Sequence, residues 1–202
     1  RFLLHNKEKF AKFFEKDQID TRIVWIAHSF AMKAAEKHDV NLFNQAIDII
    51  KKYENGKGLL YKEMDGRITG AIEVNQLVLY LKMDYYEKTG KNKEYLEAEE
   101  KYIKNIWNDW DALNEIAWRY YDYDDTSKLK KAKKWAKRSV ELTTKYENCD
   151  TYAAILLKLG EGKEALHWAE KAAYMAKIDS LAHKYYKAAL DLIEKIESET
   201  KK

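Results

Sequence analysis

The sequence predicts an all-α protein made of antiparallel helical hairpins that stack against one another. Proline is absent and only seven glycines occur among the 202 residues, whereas strand-rich folds need many turns that use both residues. The hydrophobic residues, which make up 46% of the chain, recur mostly at helical spacing and suffice for a sizeable core. Long helices with short links satisfy these observations together.

Apolar residues at helical spacing predict three helices at the start of the chain. The first of them begins almost at residue 1, which is an arginine, and we therefore expect the chain to be a processed product or a piece of a longer one. The three helices cover residues 2–16, 20–38 and 42–53.

Four of the seven glycines fall within residues 55–70, where we place a loop with a short helical turn around Leu59–Met64. Such a loop is a candidate binding segment. The next stretch, Ile68–Met83, is ambiguous, because a short apolar run such as Leu77–Leu81 fits either a strand or a buried helix. We choose a helix there, since its neighbours are helical and the pattern continues to Gly90.

The rest of the chain is predicted to be helical throughout, and we expect one continuous domain. Residues 1–55 would hold the N-terminal helices, residues 56–70 the glycine-containing loop and residues 71–202 the helical hairpins. The later helices are predicted at residues 93–107, 109–123, 126–146, 149–159, 163–177 and 180–198.

A segment of the C-terminal half repeats itself at an offset of 33 residues. Small residues at the repeated positions let the two helices of a hairpin approach closely, and large residues on the first helix fill the remaining space. The repeated positions are Ala132, Trp135, Ala136 and Ser139, then Ala165, Trp168, Ala169 and Ala172. The large residues are Leu113, Ile116 and Tyr120, then Tyr152 and Leu156.

This pattern resembles the tetratricopeptide repeat family over residues 110–177. The spaced alanines, Leu159-Gly160 and Glu164-Ala165 carry the resemblance, while about three extra residues around Tyr123–Ser127 and the lack of a closing proline depart from it. The resemblance implies a right-handed solenoid of stacked hairpins. The mixed polar and apolar pattern of residues 180–198 suits a helix that caps such a stack.

The same resemblance implies a function, because members of the family hold protein or peptide partners in a concave groove lined by the first helix of each hairpin. Trp118 and Tyr121 would be rigid anchors there, and Asn114 could bond a peptide backbone. The lysine and asparagine set that grips a C-terminal carboxylate in chaperone-binding members is not matched. We therefore expect a non-catalytic scaffold. Its peptide-binding residues would be Asp111, Asn114, Trp118, Tyr121, Asp122 and Lys158, joined by Asp150, Ala154 and Leu157 of the second unit.

A second resemblance supplies an alternative function. Residues 2–10 and the unit from Asp150 to Gly160 are similar to the helical region that follows a thioredoxin fold in some Bacteroidetes-type bacterial proteins. This likeness implies an accessory domain that positions a redox domain or its clients in the periplasm or cell envelope. If this second resemblance does not hold, we expect a cytoplasmic protein.

The balance of charges and the lack of long apolar runs limit the kinds of partner. The 37 basic and 34 acidic residues leave a net charge of +3, and nucleic-acid binders usually show a stronger, clustered excess. The basic run from Lys128 to Arg138 fits a solvated helix face, with an anionic partner as the alternative. Because no run is long and apolar enough to span a bilayer, we expect no membrane insertion.

The residues that could carry chemistry do not form a recognisable constellation. Cys149 is the single cysteine, which excludes an intrachain disulfide and a paired-cysteine metal site. Glu164 and His167 have the spacing found in di-iron bundles, but the chain has no second pair of this kind. The five histidines are scattered, and no nucleophile motif surrounds His28. We therefore predict no catalytic residues, no metal and no cofactor.

Overall fold

Helices account for most of the structure, which confirms the predicted all-α class of helical hairpins. The computed structural model describes residues 6–10, 12, 16–52, 59–64, 67–179 and 183–200. In chain order, the helices are α1 (Lys7–Phe10), α2 (Lys16–Glu36), α3 (Val40–Lys52), α4 (Val74–Lys88), α5 (Asn92–Ile106), α6 (Trp110–Tyr121), α7 (Thr126–Leu142), α8 (Tyr146–Lys158), α9 (Gly162–Ile178) and α10 (Tyr186–Thr200). A 3-10 turn, His183–Tyr185, precedes α10.

An antiparallel β-hairpin adds to the helices and corrects part of the prediction. Strand β1 (Leu59–Met64) pairs with β2 (Arg67–Glu73), with an irregularity after Lys62. The helical turn predicted at Leu59–Met64 is therefore wrong, and so is the helix predicted for the first residues of Ile68–Met83. The β-branched residues of β2 favour a strand, and a partner strand two residues upstream satisfies its backbone hydrogen bonds. The predicted helix begins only at Val74.

The helix predicted at residues 2–16 lies largely outside the described residues, apart from α1 and the first residue of α2. Residues 53–58, 65–66 and 180–182 also lie outside them. They include the end of the predicted helix 42–53, parts of the predicted 55–70 loop and the start of the predicted last helix. A binding role for that loop stays a prediction, as does the right-handed solenoid.

The chain forms two compact units, residues 1–105 and 106–202. In the first unit, α2 packs against α3 and α4 around a core of small and branched side chains such as Val24, Ala31 and Ile50. The rings of Phe43 and Tyr85 stack within it with centroids 4.2 Å apart. The predicted three-part division of one continuous domain stays a prediction, because compactness does not say which parts fold independently.

The second unit contains the hairpins α6–α7 and α8–α9, and α10 packs against α9. The repeated small residues face the neighbouring helices as predicted, since Ala132, Ala136 and Ala165 have no exposed surface. Tyr120 and Tyr152 are also among the fully buried side chains. The internal repeat therefore forms the core that its spacing predicts.

A buried polar network fixes the link between α7 and α8. Asn148 donates to the Thr143 carbonyl at 2.7 Å and to Ser139 Oγ at 3.1 Å. Its own side-chain oxygen accepts from the Lys145 backbone at 2.9 Å, and Ser139 donates to the Trp110 carbonyl at 2.7 Å. The network holds residues 143–145 out of the helix. The helix predicted at residues 126–146 therefore ends at Leu142, and the helix predicted at residues 149–159 already begins at Tyr146.

Candidate functional site

Helix α6 presents one face to the core and the opposite face outward. Asp109 caps its N-terminus. The Asp109 side chain accepts hydrogen bonds from the backbone of Asp111 and Ala112, each at 3.1 Å, and thereby satisfies two of the free donors of the first turn. The buried face carries Leu113, Ile116, Ala117 and Tyr120. The predicted site residues Asp111, Asn114, Trp118 and Tyr121 follow at intervals of three and four residues, so the helix brings them to one side.

Two aromatic rings form a flat surface near the end of this face. The rings of Trp118 and Tyr121 stack with centroids 4.8 Å apart and planes 5° from parallel. Trp118 is 46% exposed, although it is one of the largest apolar side chains of the unit. Each ring restricts the other, so the pair is an exposed apolar surface that is already ordered.

Lys158 joins the end of α8 to the end of α6. Its ammonium donates to the Tyr121 carbonyl at 2.7 Å and to the Tyr123 carbonyl at 3.3 Å. The same nitrogen lies 3.2 Å from Asp124 Oδ1 and 5.0 Å from the centroid of the Tyr121 ring. The structure thus places Lys158 beside the aromatic pair, with its donors used within the chain.

The α6 and α8 helices run in the same direction, because the short links at residues 122–125 and 143–145 each reverse the chain. Asn114 precedes Tyr121 by seven residues, and Asp150 precedes Lys158 by eight. With a rise of about 1.5 Å per residue, both lie about 10–12 Å before the Lys158–Tyr121 contact. Asn114 and Asp150 are each the fifth residue of their helix, α6 and α8, and these two helices pack against each other.

Asn114 carries a buried acceptor atom, and the carboxyl of the half-buried Asp150 is partly desolvated. Asn114 Oδ1 is buried and has no hydrogen-bond partner among the described residues. Burial raises the pKa of the Asp150 carboxyl to about 6, because it disfavours the charged form and none of the described residues supplies an offsetting positive charge. A spacing pattern could place these residues on a face, but it could not show that their acceptors are desolvated.

The remaining residues of the predicted groove differ in how much surface they provide. Asp111 and Asp122 are exposed, and Asp122 ends α6 as its C-cap. Ala154 is buried and Leu157 is half-buried, so Ala154 adds little to the face. We refer to Asp111, Asn114, Trp118, Tyr121, Asp122, Asp150 and Lys158 together as the α6–α8 face.

The basic run on α7 makes contacts within the unit. Lys128 lies 3.5 Å from the centroid of the Tyr123 ring, and Lys133 pairs with Glu161. Arg138 donates to the Trp107 carbonyl at 3.3 Å and to Asn108 Oδ1 at 3.0 Å. These contacts fit the interpretation of a helix face that packs and is solvated.

Two side chains considered for catalysis, Glu164 and His28, contact neighbouring aromatic residues. Glu164 accepts a hydrogen bond from the Tyr152 hydroxyl at 3.0 Å. His28 packs its ring edge-on to Trp25, and burial lowers its pKa while Asp84 partly opposes that shift. Within the described part of the chain, no group of three or more histidine, cysteine or acidic side chains could hold a metal ion. None of the described helices combines the length and the apolar character needed to cross a bilayer.

Comparison with protein families matches residues 29–199 to the model described as Tetratricopeptide repeat. The chain belongs to the tetratricopeptide repeat family. The match extends well beyond residues 110–177, so it also covers helical hairpins upstream of the pair that the sequence identified. Tetratricopeptide repeats generally mediate interactions between proteins and typically bind protein partners.

Comparison with curated proteins and with solved structures gave no match. The likeness to the helical region that follows a thioredoxin fold is therefore not supported by any comparison, and an accessory role in a redox protein stays a prediction.

Proposed function

We propose that this tetratricopeptide repeat protein is a non-catalytic scaffold that binds an extended peptide segment of a partner protein along the α6–α8 face. The exposed Trp118–Tyr121 stack carries the proposal. Tryptophan and tyrosine dominate the energetics of many protein interfaces. A pair that is already ordered loses less side-chain freedom when a partner binds.

The polar residues of the face suit recognition of a peptide backbone. Asn114 and Asp150 offer acceptors to backbone or side-chain donors at equivalent positions of α6 and α8, and Asp111 and Asp122 add exposed carboxylates near the two ends of α6. Lys158 positions the end of the groove, because it ties the carbonyls of Tyr121 and Tyr123 to α8. The proposal thus gives a part to each of Asp111, Asn114, Trp118, Tyr121, Asp122 and Lys158.

Selection from a displayed library of random peptides tests the proposal. Peptides selected on the wild-type protein are measured by fluorescence anisotropy against the double variant Trp118→Ala/Tyr121→Ala. Tyr174→Ala/Ile178→Ala is the matched control, since it removes two hydrophobic side chains of α9 that are each 60% exposed.

We expect the selected peptides to bind the wild type and the control alike, and to bind the Trp118→Ala/Tyr121→Ala variant roughly tenfold or more weakly, or about 1.4 kcal/mol. Circular dichroism confirms that the variants remain folded. Peptides whose affinity is the same for all three proteins would place the binding surface elsewhere and refute the proposal.

A further inference from the structure

The charged side chains of the α6–α8 face are mostly negative, since Asp111, Asp122 and Asp150 stand against Lys158. Its one ammonium, that of Lys158, is held by two backbone carbonyls and by Asp124. Besides the Trp118 and Tyr121 rings, the side chains left to meet a partner are three carboxylates and the Asn114 amide, whose oxygen is buried and has no partner among the described residues. A partner rich in donors and positive charge would complement this surface.

The two desolvated acceptors strengthen this bias. A buried acceptor without a hydrogen bond destabilises the folded protein, and a carboxylate shielded from water destabilises it more unless a positive group lies beside it. Asn114 and Asp150 bear these costs at equivalent positions of α6 and α8. Donors supplied by a partner would lower both costs.

The aromatic pair favours one kind of cation. A guanidinium is planar, lies flat on aromatic rings and can donate two parallel hydrogen bonds to a carboxylate, whereas an ammonium is a compact, strongly hydrated charge. Trp118 is one helical turn beyond Asn114 on the same face, so aromatic surface and acceptors lie within the reach of one basic segment.

We propose that the occupant of the α6–α8 face is a basic, arginine-containing segment of a partner protein, with a guanidinium donating to Asp150 and Asn114 beside the Trp118–Tyr121 stack. This inference rests on the proposed function and gives the peptide partner a chemical class. Charge complementarity and the exposed aromatic surface favour this occupant.

Three displayed peptide libraries of equal length and aromatic content provide the test, one enriched in arginine, one in glutamate and one in serine. We expect the arginine library to yield the binders that depend on Trp118 and Tyr121. Replacing one arginine of the best binder with citrulline, its uncharged isostere, should weaken binding roughly tenfold, and Asp150→Asn should have a similar effect. Once Asp150 is Asn, the citrulline exchange should cost little more, because the two groups interact.

Glu170→Gln is the matched control, because it removes an exposed carboxylate of α9 in the same unit. Equal losses in Asp150→Asn and Glu170→Gln would mean general charge attraction and would overturn the inference. Binders that come from the glutamate or serine library, or that tolerate citrulline everywhere, would overturn it while leaving the proposed function intact.

Two other outcomes concern the proposed function itself and the identity of the occupant. If no library yields a peptide that loses affinity for Trp118→Ala/Tyr121→Ala, both the inference and the proposed function fail. If sedimentation shows that the wild type self-associates and that this double variant does not, the occupant is a second copy of the chain, which overturns the inference of a basic partner.

Discussion

Trp118 and Tyr121 lie face to face, with ring centroids 4.8 Å apart and ring planes 5° from parallel, on the side of α6 that faces away from its core. Another tryptophan of the same unit, Trp135, is only 4% exposed and packs edge-on to Tyr120 at 4.9 Å. One indole is thus available to a partner and the other is part of the core.

This contrast predicts different effects of the same substitution. Trp135→Ala should lower the free energy of unfolding by about 3–5 kcal/mol, since it opens a cavity. Trp118→Ala should lower it by less than about 1 kcal/mol, since much of its ring is already in water. Chemical denaturation of the two variants measures the difference. Equal losses would mean that Trp118 serves the core and would weaken its assignment as an anchor.

The Asn148 network predicts a large cost for a small polar substitution. Asn148→Ala removes three hydrogen bonds and leaves buried groups around Ser139 and Thr143 without that partner. We expect a loss of about 2–4 kcal/mol in unfolding free energy. Asn108→Ala is the control, because that side chain is exposed and accepts one hydrogen bond from Arg138. A loss for Asn148→Ala no larger than that of the control would show that the network does not set the α7–α8 link.

Asp150 predicts a pH dependence of stability. Its carboxyl pKa is raised from 3.8 to about 6 in the folded protein, with burial as the cause. Between about pH 4 and pH 6 the folded state therefore binds more protons than the unfolded state, so this group makes stability fall as pH rises through that window. Asp150→Asn should be more stable than the wild type at pH 7, by on the order of 2 kcal/mol, and this advantage should vanish near pH 4.

Urea denaturation of both proteins across this pH range measures the difference. An advantage that is independent of pH, or that grows on acidification, would contradict the assignment. A variant that gains stability yet loses peptide affinity would separate a binding role from a structural one, because a structural residue would lose both together.

Cys149 predicts a simple chemical probe of unfolding. The thiol has no exposed surface, and burial raises its pKa to about 11. A thiol-specific reagent should therefore modify the folded protein very slowly near pH 8 and react fully in denaturant. Rapid stoichiometric labelling of the folded protein would show that α8 opens readily.

The helices and the repeat core were accessible from the sequence because their signals are local. The alanines at 132, 136, 165 and 169 are small for one packing reason, and burial of all four confirms it. The sequence pattern does not predict the β-hairpin, although Asp65-Gly66, a pair typical of two-residue links between strands, lies between β1 and β2. The helical spacing of the surrounding apolar residues favours helices instead.

The α6–α8 face could be predicted only in outline. Helical spacing placed Asn114, Trp118 and Tyr121 on one side, as the structure has them. Spacing does not reveal that Asn114 Oδ1 is buried and Asp150 partly desolvated, nor that Lys158 donates to the carbonyls of Tyr121 and Tyr123. Those properties depend on the packing of α6 against α8, which residues distant in the sequence decide.

Two-dimensional 15N–1H NMR of the tryptophan indoles tests the central claim most directly. Trp118→Phe assigns the Trp118 indole signal, and a peptide selected from the arginine library is then titrated into the wild-type protein. We predict that the Trp118 signal shifts saturably with the peptide while the Trp135 signal stays in place. A Trp118 signal that does not move at saturating peptide would contradict the proposal that the α6–α8 face binds it.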